Sequence, residues 1–478
     1  MKKGRKILIW VGSIFLGLIL IFTIIVVTAY NYGFNYTKGE DIPDKVEIKD
    51  DGNDYHTVKA VGRGLYDKDG NRVEIKGVNF GNWLIQEGWM TIMSMGAAYN
   101  EDGTYLKVNE DGIVEEYDEI YQEELEAALQ ARVDSGEWTQ EQLDELWDAF
   151  HDSYCQEQDF INIKSLGFNT IRLPMYYGNF MEGDKEHLVM KEDAFERIDW
   201  FLEMAKKHDL YVILDMHGVV GGQSGFEHSG TRTREFWTNE IYQQEMCELW
   251  QNIALHYVND RPDLAYTILS YDLVNEPATA TEPTGKTEWD VMDKMYDAIR
   301  EVDKEHVITI EGVWYFDSVP NPKKYGWENI MYEYHFYNWN NQTISWEAFY
   351  TLMWLTLMKS DYDVPKYIGE FSFFSDEDAW IKYLNQFDKM GFGWTFWSYK
   401  TISVGWWDSS WGIYVQKMNL ENKNGVTGDP NVDRLKTDVR TASYEQLYDE
   451  WSKQETTRWY NPDGVMYKII NRYFEQKK

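Results

Sequence analysis

Short runs of apolar, β-branched and aromatic residues alternate along this chain with stretches whose apolar positions recur every three or four residues. The runs at 73–79, 169–174, 211–217, 268–275, 306–311, 331–335, 365–370 and 393–399 read as eight strands. Between them lie helical stretches such as 194–208 and 290–303, each with one apolar face. Strands and helices in strict alternation predict a parallel sheet of the α/β class. Eight such units predict a single (β/α)8 TIM barrel. Asp69-Gly70-Asn71 reads as the turn of a small entry hairpin ahead of the first strand.

Two regions break the alternation. Lys2, Lys3, Arg5 and Lys6 precede an uncharged run at 7–29, which is 23 residues against the about 20 a bilayer-spanning helix needs. The basic cluster at 1–6 predicts a cytoplasmic end, with the rest of the chain outside. A cleaved signal peptide is the alternative, Val27-Thr28-Ala29 loosely resembling a cleavage site. The polar stretch 30–54 reads as a linker, and 55–478 as the catalytic barrel with a C-terminal extension to which no motif is assigned. The second break is an acidic insertion at 99–160, after the first strand. Residues 101–160 carry twenty acidic residues against only Lys107 and Arg132. Leu125, Leu129, Trp138, Leu143, Leu146, Trp147 and Phe150 recur there at helical spacing, so the insertion reads as one or two solvated amphipathic helices. The near repeat Asn100-Glu101-Asp102-Gly103 and Asn109-Glu110-Asp111-Gly112 reads as two turns, a calcium loop being the alternative.

Composition then narrows the function. A formal charge of −35 over 478 residues excludes a nucleic-acid binder, which needs a basic face. With 22 Trp, 34 Tyr and 22 Phe the chain is globular, and rings beside carboxylates suit neutral sugars, whose C–H faces stack while their hydroxyls hydrogen-bond. Cys155 and Cys247 are too few for a disulfide scaffold and read as thiols, a single bridge being the alternative.

Polar residues gather where barrel strands end, at the face that carries the active site in such barrels. They are Asn79, Arg172, His217, Asn275 with Glu276, His335 with Tyr337, Glu370, and Trp397. Glu276 and Glu370 end the fourth and seventh strands, on opposite sides of the mouth. Two facing carboxylates are the equipment of glycoside hydrolysis, one protonated to assist the leaving oxygen and one ionised to attack the anomeric carbon. Glu276 reads as the acid/base, with Asn275 beside it for a sugar 2-hydroxyl. Glu370 reads as the nucleophile, held ionised by Arg172 and the Tyr337 hydroxyl. His217 and His335 supply donors, and Trp397 a floor under the sugar. No His-Glu-x-x-His zinc motif occurs, and 222–226 fails both the serine-hydrolase elbow and the dinucleotide fingerprint.

In order, Gly77-Val78-Asn79-Phe80-Gly81-Asn82-Trp83, Gly167-Phe168-Asn169-Thr170-Ile171-Arg172-Leu173-Pro174, Leu214-Asp215-Met216-His217-Gly218, Asn275-Glu276-Pro277, His335-Phe336-Tyr337, Gly369-Glu370-Phe371 and Phe396-Trp397-Ser398 make the chain resemble glycoside hydrolase family 5, the cellulase family. The resemblance implies a retaining mechanism with Glu276 as acid/base and Glu370 as nucleophile. It implies no metal or organic cofactor, and it assigns Arg172, His217, Asn275, His335, Tyr337 and Trp397 to the cleavage subsite. Gly222 to Gly230 is similar to a loop of exo-acting β-1,3-glucanases, and Gln86-Glu87-Gly88-Trp89 matches where those enzymes set a glutamate, here Glu87, against a terminal glucose. The expected partner is a β-glucan or β-linked oligosaccharide, with a membrane contact through the N-terminal helix. β-Mannanase or another β-glycosidase of the family, and a non-catalytic glycan-binding protein, are the alternatives.

Overall fold

A computed structural model of the chain describes residues 2–48, 56–95, 120–277, 287–404, 411–418, 437–459 and 464–477. Eight parallel strands close into a barrel in chain order: β1 (Lys76–Asn79), β2 (Thr170–Tyr176), β3 (Tyr211–Gly218), β4 (Ile268–Asp272), β5 (Val307–Glu311), β6 (Ile330–Tyr337), β7 (Lys366–Ser372) and β8 (Gly393–Phe396). All eight expected strands are present, with shifted ends. β1 starts at Lys76 rather than 73 because Arg72–Val73 pairs antiparallel with Gly64–Tyr66, forming the entry hairpin around Gly70. β4 leaves the ladder at Asp272, although the Asn275 N–H still donates to the Met216 carbonyl at 3.0 Å. Leu65 of the hairpin joins Ile75, Ile213, Leu269, Val307, Met331 and Tyr367 in an apolar cluster that plugs the N-terminal end of the barrel.

Among the described residues the helices of eight residues or more are, in chain order, α1 (Lys2–Phe34), α2 (Gln122–Asp134), α3 (Gln140–Tyr154), α4 (Glu157–Leu166), α5 (Glu196–Lys207), α6 (Glu240–Leu255), α7 (Thr287–Val302), α8 (Trp346–Ser360), α9 (Glu377–Met390), α10 (Tyr444–Trp451) and α11 (Val465–Glu475). α4 ends at Gly167, whose φ of +104° is the left-handed conformation that lets the chain turn into β2. α2 and α3 are the helices of the acidic insertion. Leu125, Leu129, Leu143, Leu146 and Phe150 are buried, and Thr139 with Gln142 forms a capping box at the start of α3. The paired Asn-Glu/Asp-Gly turns at 100–112 lie outside the described residues.

Two regions differ from the sequence reading. α1 does not stop near residue 29 but runs to Phe34, and the stretch expected to be a linker is docked on the barrel as far as Val46. Phe34 meets Trp354 of α8 edge-on at 4.5 Å, the Gly33 carbonyl accepts from Gln386 at 2.7 Å, and the Val46 N–H donates to the Gly70 carbonyl at 2.9 Å. Asp361 anchors the same junction, taking the Tyr32 hydroxyl at 2.6 Å, Lys38 at 2.5 Å, Arg63 at 2.5 Å and Lys366 at 3.0 Å. The aromatic residues set among polar ones in 30–36 supply the apolar surface that makes docking favourable. The C-terminal extension also packs back onto the fold. Trp451 of α10 lies against Trp147 and Phe150 of α3 at 5.0 and 5.8 Å, and Phe474 of α11 against Phe168 at 5.3 Å. Both cysteines are free thiols.

Candidate active site

The register of the barrel sets the site. Asn79 pairs with Arg172, Asp215 with Asp272, Glu311 with Glu333, and His335 with Glu370 across neighbouring strands. Strand side chains alternate between faces, so Asp215 and His217, and likewise Glu333, His335 and Tyr337, share the inward face.

Arg172 occupies the centre, fully buried. Its Nη1 donates to Glu370 Oε1 at 2.9 Å and to Asn79 Oδ1 at 3.2 Å, and its Nη2 to Asn275 Oδ1 at 2.9 Å and Asp272 Oδ2 at 2.8 Å. Asp215 lies 3.0 Å from Nη1 and Glu333 3.1 Å from Nε. The Tyr337 hydroxyl donates to Glu370 Oε2 at 3.0 Å. Glu370 therefore has a donor on each oxygen, as expected of a carboxylate held in place.

Glu276 sits in a different setting. Its backbone takes a φ of +40°, unusual outside glycine, and its N–H donates to Glu311 Oε2 at 2.5 Å. Its Oε1 lies 2.9 Å from His335 Nδ1 and its Oε2 3.5 Å from His228 Nε2. One side-chain donor atom each from Glu276, His335 and Glu370 lies within 4.8 Å of the others, close enough to hold a cation by distance alone. The His335 ring nitrogen that would serve is already engaged with Glu276, so this is a hydrogen-bonded pair of carboxylates before it is a metal site.

Burial drives the electrostatics. Loss of hydration raises the Glu276 carboxyl well above its usual range, with repulsion from Glu370 and Glu87 adding to it. Glu370 is raised by burial too, but the Arg172 charge and the Tyr337 hydroxyl pull it back. Burial also keeps the imidazoles neutral, pushing His217 and His228 down to about 3 and His335 well below its usual value. Buried Glu87 is raised to about 8 and accepts from Trp89 Nε1 at 2.8 Å.

The remaining predicted residues divide. His217 Nδ1 lies 2.7 Å from Asp215 Oδ2, and its ring stacks on Trp397 at 5.4 Å and 17°. Trp397 is followed by a cis peptide to Ser398. Asn79, expected among the strand-end residues that bind substrate, spends its side chain on the framework. Fully buried, it donates to the Gly369 carbonyl at 2.9 Å and accepts from Arg172, because its β1 position places it one layer below the mouth. Asp215, Asp272, Glu311, Glu333 and His228 carry no role in the sequence reading, although Asp215 and His228 fall within segments that it quotes. The period-2 spacing of Asp215 with His217 and of Glu333 with His335 was the available signal. An aromatic wall was also missed, in which Trp339, 60% exposed, stacks on Tyr337 at 5.2 Å and on Trp411 at 5.6 Å. A cavity of about 1330 Å³ between α2, α3 and the segment from Tyr176 to Lys191 holds neither glutamate.

The model of the family described as cellulase (glycosyl hydrolase family 5) matches residues 133–403, more than half of the chain. The chain belongs to this family. A β-xylosidase of Phanerodontia chrysosporium is 30% identical over 59% of this chain and 52% of its own length. Glucan 1,3-β-glucosidase 2 of Wickerhamomyces anomalus is 29% identical over 55% of this chain and 56% of its own. Endoglucanase C of Acetivibrio thermocellus is 31% identical over 39% and 51%. The chain thus spans about half the length of these relatives. The family match begins within α2, so α1, the entry hairpin and most of α2 lie before it, and the C-terminal extension after it.

Proposed function

We propose that this protein is a retaining β-glycoside hydrolase acting on β-glucans or β-linked gluco-oligosaccharides outside the cell. The observation that carries the reading is the proximity of the two glutamates, one oxygen of each lying within 4.8 Å of the other. Retaining enzymes hold their carboxyl groups about 5–5.5 Å apart, whereas inverting ones leave about 6.5–9.5 Å for a water. Glu370, fixed by Arg172 and Tyr337, attacks the anomeric carbon while the Glu276 proton passes to the departing glycosidic oxygen. A covalent glycosyl–Glu370 ester results. Water then gives a proton to the Glu276 carboxylate, and its oxygen displaces Glu370 from the sugar. The Asn275 amide, whose oxygen is taken by Arg172, keeps its N–H groups for the 2-hydroxyl. His217 and Trp397 form the floor, and neutral Glu87 is placed to hydrogen-bond a terminal sugar.

The names of the relatives favour a β-glucan as the substrate class. The apolar part of α1 at Gly17–Phe34 has a mean hydropathy of 1.8 and is long enough to cross a membrane. It supports a single-pass anchor with the barrel outside, a secreted form after signal cleavage being the alternative. Proton NMR of a fresh digest tests the mechanism: the β-anomer appears first, and an initial α-product would overturn the retaining assignment. Product analysis on laminarin, lichenan, cello-oligosaccharides, xylan and mannan tests the substrate.

A further inference from the structure

Beneath the two glutamates the barrel holds more carboxylates than its cations can neutralise. Asp215, Asp272, Glu276, Glu311, Glu333 and Glu370 all line the space around Arg172, and each is buried. Four of them, Asp215, Asp272, Glu333 and Glu370, lie within 3.1 Å of the single guanidinium. One guanidinium cannot support six ionised carboxylates away from water, so some of them keep their protons.

His335 shows where one such proton matters. Its Nδ1 lies 2.9 Å from Glu276 Oε1, 3.4 Å from Glu311 Oε1 and 3.6 Å from Glu370 Oε2, while its Nε2 lies 3.2 Å from Glu333 Oε1. A neutral imidazole has one N–H, so only one of these sides can receive it. The acid/base is best served when Nδ1 donates, because that bond strengthens as Glu276 becomes an anion in the transition state. Nε2 is then an acceptor and needs a donor opposite it. Glu333 is the residue there, and it supplies one only when protonated.

Three further observations agree. Glu333 Oε2 receives no N–H or O–H among the described residues, and the Glu333 carboxyl stands within hydrogen-bond reach of the Asp272 carboxyl, a contact that requires one of the two to hold a proton. Arg172 Nε, which faces Glu333 at 3.1 Å, also donates to Asp272 at 3.1 Å, so its charge is already shared. The space for Glu333 is kept open by Gly369, just before Glu370, since a Cβ there would fall 1.5 Å from Glu333 Oε1. The groups facing Glu333 are thus His335 on its own strand, Arg172, Asp272 and Glu311 around the ring, and Tyr367 on β7.

We propose that Glu333 is a positioning residue that stays protonated and donates to His335 Nε2, fixing the Nδ1–H tautomer that serves Glu276. The inference rests on the glycosidase reading for its purpose but not for its test. In the full chain, ¹⁵N-histidine NMR, with His335 assigned by the signal missing from His335→Asn, reads the tautomer without any turnover. A protonated Nδ1 and a bare Nε2 are expected, and the opposite pattern overturns the proposal. Kinetics give a second readout. Glu333→Gln keeps an N–H donor opposite Nε2 and retains kcat within about threefold. Glu333→Leu has the same size and no donor, and loses about 10- to 100-fold in kcat with KM within twofold, the usual cost of losing a residue that orients a catalytic group. Equal activity of the two variants would also overturn it. If Glu333→Leu does not fold by circular dichroism, the wild-type NMR still decides. Failure of the glycosidase reading would show separately, as absent hydrolysis beside an unchanged tautomer.

Discussion

Glu276 and Glu370 begin with the same side chain and differ only in their surroundings. Glu370 has a guanidinium and a phenol, whereas Glu276 is raised by burial, beside a neutral imidazole and the like charge of Glu370, so Glu276 holds its proton to higher pH. The proposed mechanism needs Glu370 ionised and Glu276 protonated. The pH–rate profile should therefore be bell-shaped, rising as Glu370 ionises and falling as Glu276 loses its proton, with both limbs above the usual carboxylate value of about 4.3. Because repulsion from Glu370 is part of what raises Glu276, Glu370→Gln should lower the Glu276 pKa in a ¹³C NMR titration. Glu276→Gln should cost about 10²–10⁴-fold in turnover of natural substrates, the range expected for a lost general acid, with circular dichroism unchanged. Arg172→Met should destabilise the fold by about 3–5 kcal/mol in denaturant titrations, because it strands buried carboxylates. The glutamate pair was legible in the sequence because each follows an apolar run and precedes a break. The carboxylate layer beneath was not, because Asp215, Asp272, Glu311 and Glu333 sit inside or at the end of buried strands, where one polar letter among apolar ones does not say what it faces.

At the level of elements, periodicity located the strands well because parallel barrel strands are buried on both faces and stand out as apolar runs. It also found the apolar faces of α2 and α3. What those faces cover depends on a distant segment, α10, and no local pattern announces a partner 300 residues away. Trp451→Ala should therefore destabilise the protein by about 3–5 kcal/mol, the cost of a large aromatic lost from a packed interior, while leaving KM unchanged. The junction of α1 has an electrostatic signature. Burial alone would raise the Asp361 carboxyl, but Lys366, Lys38, Tyr32 and Arg63 hold it well below the usual carboxylate range. A depressed carboxyl contributes stability that is complete above its unfolded value of about 3.9 and is lost as pH falls through the folded one. Limited proteolysis should accordingly cut the 32–48 segment faster as pH drops below about 4, and Asp361→Asn should show that sensitivity already at neutral pH.

For the whole molecule, the net charge of −35 belongs in large part to the insertion and not to the candidate site, whose carboxylates are buried around Arg172. With α1 retained, the full chain should sediment with membranes and resist carbonate extraction, and recovery in the soluble fraction would favour the cleaved form. The ordered junction at residues 32–46 then matters for reach. A free linker across 30–54 would let the barrel wander over a root-mean-square distance of about 25–30 Å, searching a volume of substrate like a buoy on slack chain. Docked through Asp361 and Trp354, the barrel instead rides on α1 as a fixed fitting. If α1 is the anchor proposed above, the mouth keeps one height and one tilt above the bilayer, and the substrate of the proposed hydrolysis has to reach that plane.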